Sequence, residues 1–294
     1  MEGKGGGVDF STELPYFQEL WENRKSSSGR HTAEAWEGRA NEWIAEIDSD
    51  AGDKSVTERV RSMASYLRSR GLLHNSDKIL DVGCGLGSFV LNFAQTAQHV
   101  TGIDFSTRFI EHAKATAASS GVSNVSFELH DICTLDVEAE GLSGAFDLVF
   151  ASLSPAVTEK GSLSKFMKMS RAMCCNVSFM RTDDSLLERV IKDVFGGEAR
   201  SRRDGMGFYA LLNLLLLSGY YPETYYFTVE TEKRVAPSRK LAEDLAFNLR
   251  LDSTEDIDKI MRYLEGKGET ERNVVTRFGS ILWDVRHGSF CERM

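Results

Sequence analysis

The residues best suited to chemistry fall in one short run, Lys78-Ile-Leu-Asp-Val-Gly-Cys-Gly-Leu-Gly87, where an apolar stretch carries an acid, Asp81, and then glycine at every second position. A second apolar stretch, Val100-Thr-Gly-Ile-Asp104, ends on another acid. Glycine at 83, 85 and 87 lets the chain turn from strand into helix with no Cβ in the way, so backbone approaches a ligand closely at the positive end of the helix. An acid ending the second strand of such a unit can accept both hydroxyls of a ribose. The chemistry implied is the binding of a nucleoside.

Asp81 narrows the choice of nucleoside. A carboxylate just ahead of the first glycine repels a diphosphate and suits a ligand carrying an ammonium or sulfonium, which favours S-adenosylmethionine over a nicotinamide dinucleotide. The dinucleotide fingerprint also takes glycine or alanine where Ser88 stands.

The elements that must position these residues follow from hydrophobic periodicity. Apolar strands are expected at 78–82, 99–103, 125–129, 146–151 and 176–181, with helices at 88–96, 106–119, 162–173, 185–194 and 207–218. That alternation predicts a parallel sheet with helices on both faces. Two further strands, 224–231 and 279–286, would close the sheet. Between them the span 237–268 carries two helical patterns, 238–249 and 254–264. Ahead of the first strand lie three more, at 12–23, 32–47 and 56–70.

Four motifs in order, Asp81-Val-Gly-Cys-Gly-Leu-Gly87, Gly102-Ile-Asp104, His130-Asp131-Ile132 and Phe146-Asp-Leu-Val-Phe-Ala151, resemble those of class I S-adenosylmethionine-dependent methyltransferases. The resemblance spans residues 70–185. It implies an α/β, Rossmann-like, seven-stranded, mostly parallel sheet with an antiparallel edge and helices on both faces. The expected organisation is an N-terminal helical lid over 1–70 and a methyltransferase core over 71–294, with the helical insertion 237–268 before the last strand. It also implies S-adenosyl-L-methionine as cofactor. Asp81 and the backbone of Gly83, Cys84, Gly85 and Gly87 would hold the methionine portion, Asp104 the ribose, and Phe105 one adenine face. Asp131 would accept the adenine amino group, with Ile132 supplying an N–H. For Asp131 a helix cap, and for Phe105 plain packing, are the competing readings.

Ala151-Ser-Leu-Ser-Pro-Ala156 lies where that family places its reacting group. Ala156 and Val157 replace the second proline and the aromatic of the signature found in enzymes that methylate amino groups of bases, which argues against base methylation. Ala151 and Ser152 would border the cofactor, and Ser154 would line the acceptor pocket or cap the turn. Trp36 and Trp43, seven apart and so on one helical face, are packing residues or a sulfonium shield. His31 is the best-placed histidine for a proton acceptor. No side chain is obligatory for methyl transfer, so the catalytic group, and the acceptor atom itself, stay open. A binder without catalysis is the alternative of a different class, and methylation of RNA or of a protein, with a partner supplying the docking surface, is a third.

The 294 residues, 41% hydrophobic, can bury a full core. The formal charge of −9 opposes attraction to a polyphosphate backbone and favours a small-molecule acceptor over nucleic acid. The basic cluster Arg200-Ser-Arg-Arg203 reads as a solvated loop, with the holding of an anionic group as the competing reading. The apolar run 208–217 is about half a bilayer span, so no membrane passage is expected. The glycine-rich leader 1–7 lacks the apolar stretch of a signal peptide, which points to the cytoplasm. Five cysteines without ligand spacing read as free thiols, with no metal site.

Overall fold

The computed structural model describes residues 13–22, 37, 44, 50–197 and 205–287. Trp36, Trp43, His31, the leader, the basic cluster and all of the 32–47 helix except positions 37 and 44 lie outside them.

The sheet has seven strands: β1 Lys78–Val82, β2 His99–Asp104, β3 Val125–Leu129, β4 Phe146–Ser152, β5 Ser170–Asp184, β6 Glu223–Val235 and β7 Thr270–Asp284, in the order β3-β2-β1-β4-β5-β7-β6. The first five run parallel, and β7 is antiparallel to both neighbours. From β1 the chain goes outward to β2 and β3, then returns to β4 on β1's other side. This reversal opens a crevice at the carboxyl ends of β1 and β4, where ligands of open α/β sheets bind.

Helices cover both faces. On one lie α2 Asp50–Ser69, α3 Ser88–Phe93 and α4 Thr107–Ser119, whose Met63, Leu67, Phe89, Phe93 and Ala113 pack on Ile79, Val100 and Phe150. On the other lie α1 Glu13–Glu22, α5 Ser162–Lys168 and α7 Met206–Leu217, packed through Trp21, Phe166 and Leu211 on Leu80, Val149 and Ile281. Interior strands are covered on both faces, so β1 reads as a nearly unbroken apolar run.

Strand ends depart from the periodicity reading in an instructive way. The helix expected over 162–173 stops at Lys168, and β5 begins at Ser170 instead of 176. The apolar run Met173-Cys174-Cys175 fits a buried strand as well as a helix, and pairing with Leu148 to Phe150 decides for the strand. The α3 helix likewise ends at Phe93, where backbone turns take over. β6 and β7 outrun their apolar cores because Glu230 to Val235 and Thr270 to Val275 pair with each other.

β4 stops opposite Val177 while β5 continues to Asp184, so β5, β7 and β6 project past the sheet's carboxyl edge as a three-stranded arm. The arm carries α6 Ser185–Phe195, α8 Arg239–Asn248 and α9 Thr254–Lys267, which share a small apolar core including Leu186, Val190, Leu245, Ile260 and Leu264. Asp184 fixes the junction. It is buried, accepts the N–H groups of Leu186 and Leu187 to cap α6, and takes Arg272 Nη2 at 2.6 Å. Among the described residues no helix is long and apolar enough to cross a membrane.

Candidate functional site

The loop between β1 and α3 is built around two glycines with different reasons for being glycine. Gly87 has φ 80°, and a Cβ there would fall 2.8 Å from the Phe127 ring and 3.1 Å from Ala113 Cβ, so this position serves packing. Gly85 has φ 51° and nothing within 4 Å of where its Cβ would be, so its missing side chain leaves open space over the crevice.

Four donors of this loop are already committed. Gly83 and Cys84 donate their N–H groups to Ile103 O at 2.8 and 3.0 Å, Gly87 to Cys84 O at 3.0 Å, and Gly85 to Asp104 Oδ2 at 2.9 Å. A diphosphate cradle needs such N–H groups free. Here they instead tie the loop to β2 and hold Asp104, whose Oδ1 also accepts from Ser106 N at 2.9 Å. A carboxylate has about four acceptor positions, so two bonds leave room for a pair of hydroxyls. Burial raises the Asp104 pKa, an effect these backbone donors oppose and Glu37 reinforces.

Asp81, at the carboxyl end of β1, is 2% exposed. Its carboxyl is pushed up to about 8, first by burial and then by the neighbouring Asp104 charge, while Arg59 pulls it back. A buried acid shifted in this way, in a crevice and beside a second acid, is a candidate functional group. Burial likewise pushes up the Cys84 thiol, with help from Asp81 and Asp104.

Arg59 is a component that the sequence pattern did not single out. On α2 it falls among Val56, Val60, Met63 and Leu67, the helix's inward stripe, with its guanidinium carbon 5.8 Å from the centre of the Phe89 ring. Burial lowers its pKa to about 10 against the attraction of Asp81. The available signal was its position: a cation on the apolar face of an amphipathic helix.

Val82, Gly83, Ile103, Asp104, Phe105, His130, Ile132 and Ala156 line the crevice. Ile132 is buried in the wall and Phe105 is half-buried. Asp131 is exposed, and its Oδ1 accepts Cys133 N–H at 2.9 Å, so it caps the turn following β3. Lys165 Nζ bonds the carbonyls of Ile132 and Cys133 at 3.1 and 2.7 Å, fixing that wall.

After β4, Ala151 is fully buried, and Ser152 Oγ is a buried hydroxyl with no hydrogen-bond partner. Leu153 is held at φ 58°, a strained conformation for a branched residue that concentrates at functional turns. Ser154 Oγ accepts Ala156 N–H at 3.3 Å, which is the turn-capping role, and it occupies the space a Cβ on Gly83 would need. From the front segment, Glu37 meets Ser106 Oγ beside Asp104, and Ile44 packs on Leu86 and Phe109. Trp21 of α1 donates to Val157 O at 3.1 Å, just past Ser154.

A seven-stranded sheet with this strand order, and a glycine loop tied to the acid that ends β2 at its reversal point, make a Rossmann-like α/β architecture with an antiparallel end. Residues 73–195 match the family model described as a methyltransferase domain. In fold the chain is similar to magnesium protoporphyrin IX methyltransferase (ChlM) from Synechocystis with bound SAH, at 15% identity and a TM-score of 0.50, over 84% of this chain and 96% of that one.

Among curated proteins it is similar to 23S rRNA (uracil(1939)-C(5))-methyltransferase RlmD of Vesicomyosocius okutanii, 39% identical over 72 residues, which are 24% of this chain and 16% of that protein. The same-named protein of Shewanella amazonensis is 29% identical over 120 residues, 39% of this chain and 26% of that protein. The chain thus spans only about a sixth to a quarter of the length of these relatives.

Proposed function

We propose that this chain is an enzyme that transfers the methyl group of S-adenosyl-L-methionine to a small-molecule acceptor. The observation that carries the reading is Asp81: a buried carboxyl, unpaired by any cation in hydrogen-bonding reach among the described residues, beside a glycine loop in which the N–H groups of Gly83, Cys84, Gly85 and Gly87 are already bonded within the fold.

In this reading Asp81 meets the cationic methionine portion as Gly83, Cys84, Gly85 and Gly87 shape the channel for it. Asp104 accepts the ribose hydroxyls. Phe105 covers one face of the adenine, Asp131 faces its amino group with Ile132 supplying an N–H, and Ala151 and Ser152 close the floor. When bound, the cofactor supplies an activated methyl group on sulfur. The chain's contribution is to align the acceptor with that group and exclude water, which suffices for an in-line displacement. Ser152 Oγ, the buried unpartnered hydroxyl, is the side chain best fitted to orient the acceptor, with Ser154 beside it.

The front span 1–70 acts as a lid: Glu37 and Ile44 touch the ribose end, and Trp21 touches the segment after β4. The 237–268 insertion stands on the arm beyond the carboxyl edge and bounds the acceptor's approach from the other side. Trp36, Trp43 and His31 belong to that lid by sequence.

A second reading, methylation of RNA, is favoured by the names of the curated relatives. Formation of S-adenosylhomocysteine with a panel of small metabolites, set against structured RNA, separates the two. Turnover with a metabolite and none with RNA is the expected outcome. Turnover with RNA alone would overturn the small-molecule assignment, and tight cofactor binding without any turnover would favour a binder that lacks catalysis.

A further inference from the structure

We propose that the outer face of α7, with α1 beside it, docks a second copy of this chain, making the protein a two-fold dimer. Residues 206–217 include no charged side chain. A helix that is apolar all round belongs inside a fold, yet only one side of α7 is covered. Phe208, Leu211 and Leu215 pack inward, while Met206, Tyr209 and Leu216 are 39, 49 and 48% exposed. These three share the outward face with Leu212 and Asn213 at helical spacing.

The face continues onto neighbouring elements. Phe17 of α1 lies edge-on to Tyr209 with ring centres 5.6 Å apart, and Tyr16, 60% exposed, lies edge-on to Phe17 at 5.1 Å. Tyr226 of β6, 57% exposed, has its ring 5.4 Å from that of Phe208. Together the five exposed side chains present on the order of 500 Å² of mostly apolar surface. That matches the largest patch on a typical monomer and, with a polar rim, approaches the roughly 800 Å² that one partner of a standard interface buries.

The pattern of the face names its occupant. Tyr209 stands four residues before Asn213 and Leu216 three after it. Two copies of α7 crossing antiparallel at Asn213 therefore set Tyr209 of each against Leu216 of the other, the reciprocal contact that a two-fold axis requires. Asn213 Nδ2 donates to Tyr209 O at 2.8 Å, and its Oδ1 and second N–H can meet their counterparts at the axis. A lone asparagine in an apolar helix seam fixes register in this way. Charge argues against other occupants: α1 holds Glu13, Glu19 and Glu22, neither helix carries a lysine or arginine, and the whole chain is at −9, a poor match to nucleic acid or an anionic lipid surface. None of these residues lines the crevice, so association through them does not depend on which acceptor is methylated.

Sedimentation velocity on the full chain between about 1 and about 100 µM tests the proposal. The wild type is expected to become dimeric within that range. Tyr209→Glu and Leu216→Glu should each weaken the dimer roughly 30-fold or more, as loss of a central interface residue does, with unchanged thermal melts and S-adenosylmethionine binding. In a chain carrying Cys133→Ser and Cys291→Ser, Asn213→Cys should give covalent dimers with a short bismaleimide, and Ser119→Cys, on α4 across the sheet, should not. A wild type that stays monomeric, a dimer indifferent to both glutamates, or cross-linking at position 119 and not at 213 would overturn the proposal. A monomer that floats with phosphatidylcholine vesicles would also overturn it and give the face to lipid. Wild-type sedimentation and the cross-linking pair decide the matter even if the glutamate variants fold poorly.

Discussion

A carboxyl held out of water at the end of β1 leaves a signature in stability. Asp81 titrates at about 8 in the folded chain against 3.8 for an ordinary aspartate. Between those values the folded chain keeps a proton that the unfolded chain has released, so this group's contribution to stability falls as pH rises from about 4 to about 8 and levels off above that. Asp81→Asn removes the titration while keeping the shape. Urea unfolding of the variant and the wild type between about pH 5 and about pH 9 should show the variant gaining relative stability, on the order of a few kcal/mol by the upper end. A difference independent of pH would contradict the buried, protonated acid. The same residue shows how far single positions were legible. Asp81 and Asp104 announce themselves by standing at strand ends next to glycines. Arg59 does not, because a charged residue in a helix is ordinarily assumed to face water, and only its register with Val56, Val60 and Met63 contradicts that assumption.

At the scale of elements, the β1–α3 loop has open space at Gly85 and packed space at Gly87. Gly85→Ala meets no atom and bears only the cost of a left-handed conformation, about 1–2 kcal/mol. It should leave the fold intact and abolish most affinity for S-adenosylmethionine. Gly87→Ala drives a methyl into Phe127 and Ala113, so it should lose roughly 2–4 kcal/mol of stability. Thermal melts and calorimetry on the two variants check the contrast, and a Gly85→Ala protein with full affinity would contradict it.

The arm beyond the carboxyl edge rests on a different device. Arg272→Met strands the buried Asp184 carboxylate, a loss of about 3–5 kcal/mol. Hydrogen exchange should then show residues 185–195 and 239–267 losing protection before β1 and β4 do; uniform loss would mean that the arm is not an independent unit. The central strands were readable from sequence because burial on both faces leaves a continuous apolar run. The arm was not, since its strands pair through polar residues such as Arg181, Asp183 and Arg277, which present no apolar alternation.

Considered whole, the molecule joins a common sheet to front helices that pack on its two faces and to helices borne on the arm beyond its carboxyl edge. The architecture was recoverable from the order of motifs because each motif sits where a parallel strand ends. The acceptor was not, because no motif of the sequence specifies it, and turn geometry such as that of Leu153 shows only in the folded chain. The charge of −9 weighs against a polyanionic acceptor, and RNA that is turned over nonetheless should be used less well as salt rises.

The central claim is that the crevice is made for a cationic nucleoside and not for a diphosphate. Titration calorimetry of the purified protein with S-adenosylmethionine and with a nicotinamide dinucleotide tests it most directly. Saturable binding of the first with no heat from the second is the predicted result. Binding of the dinucleotide by a protein indifferent to S-adenosylmethionine would contradict the account.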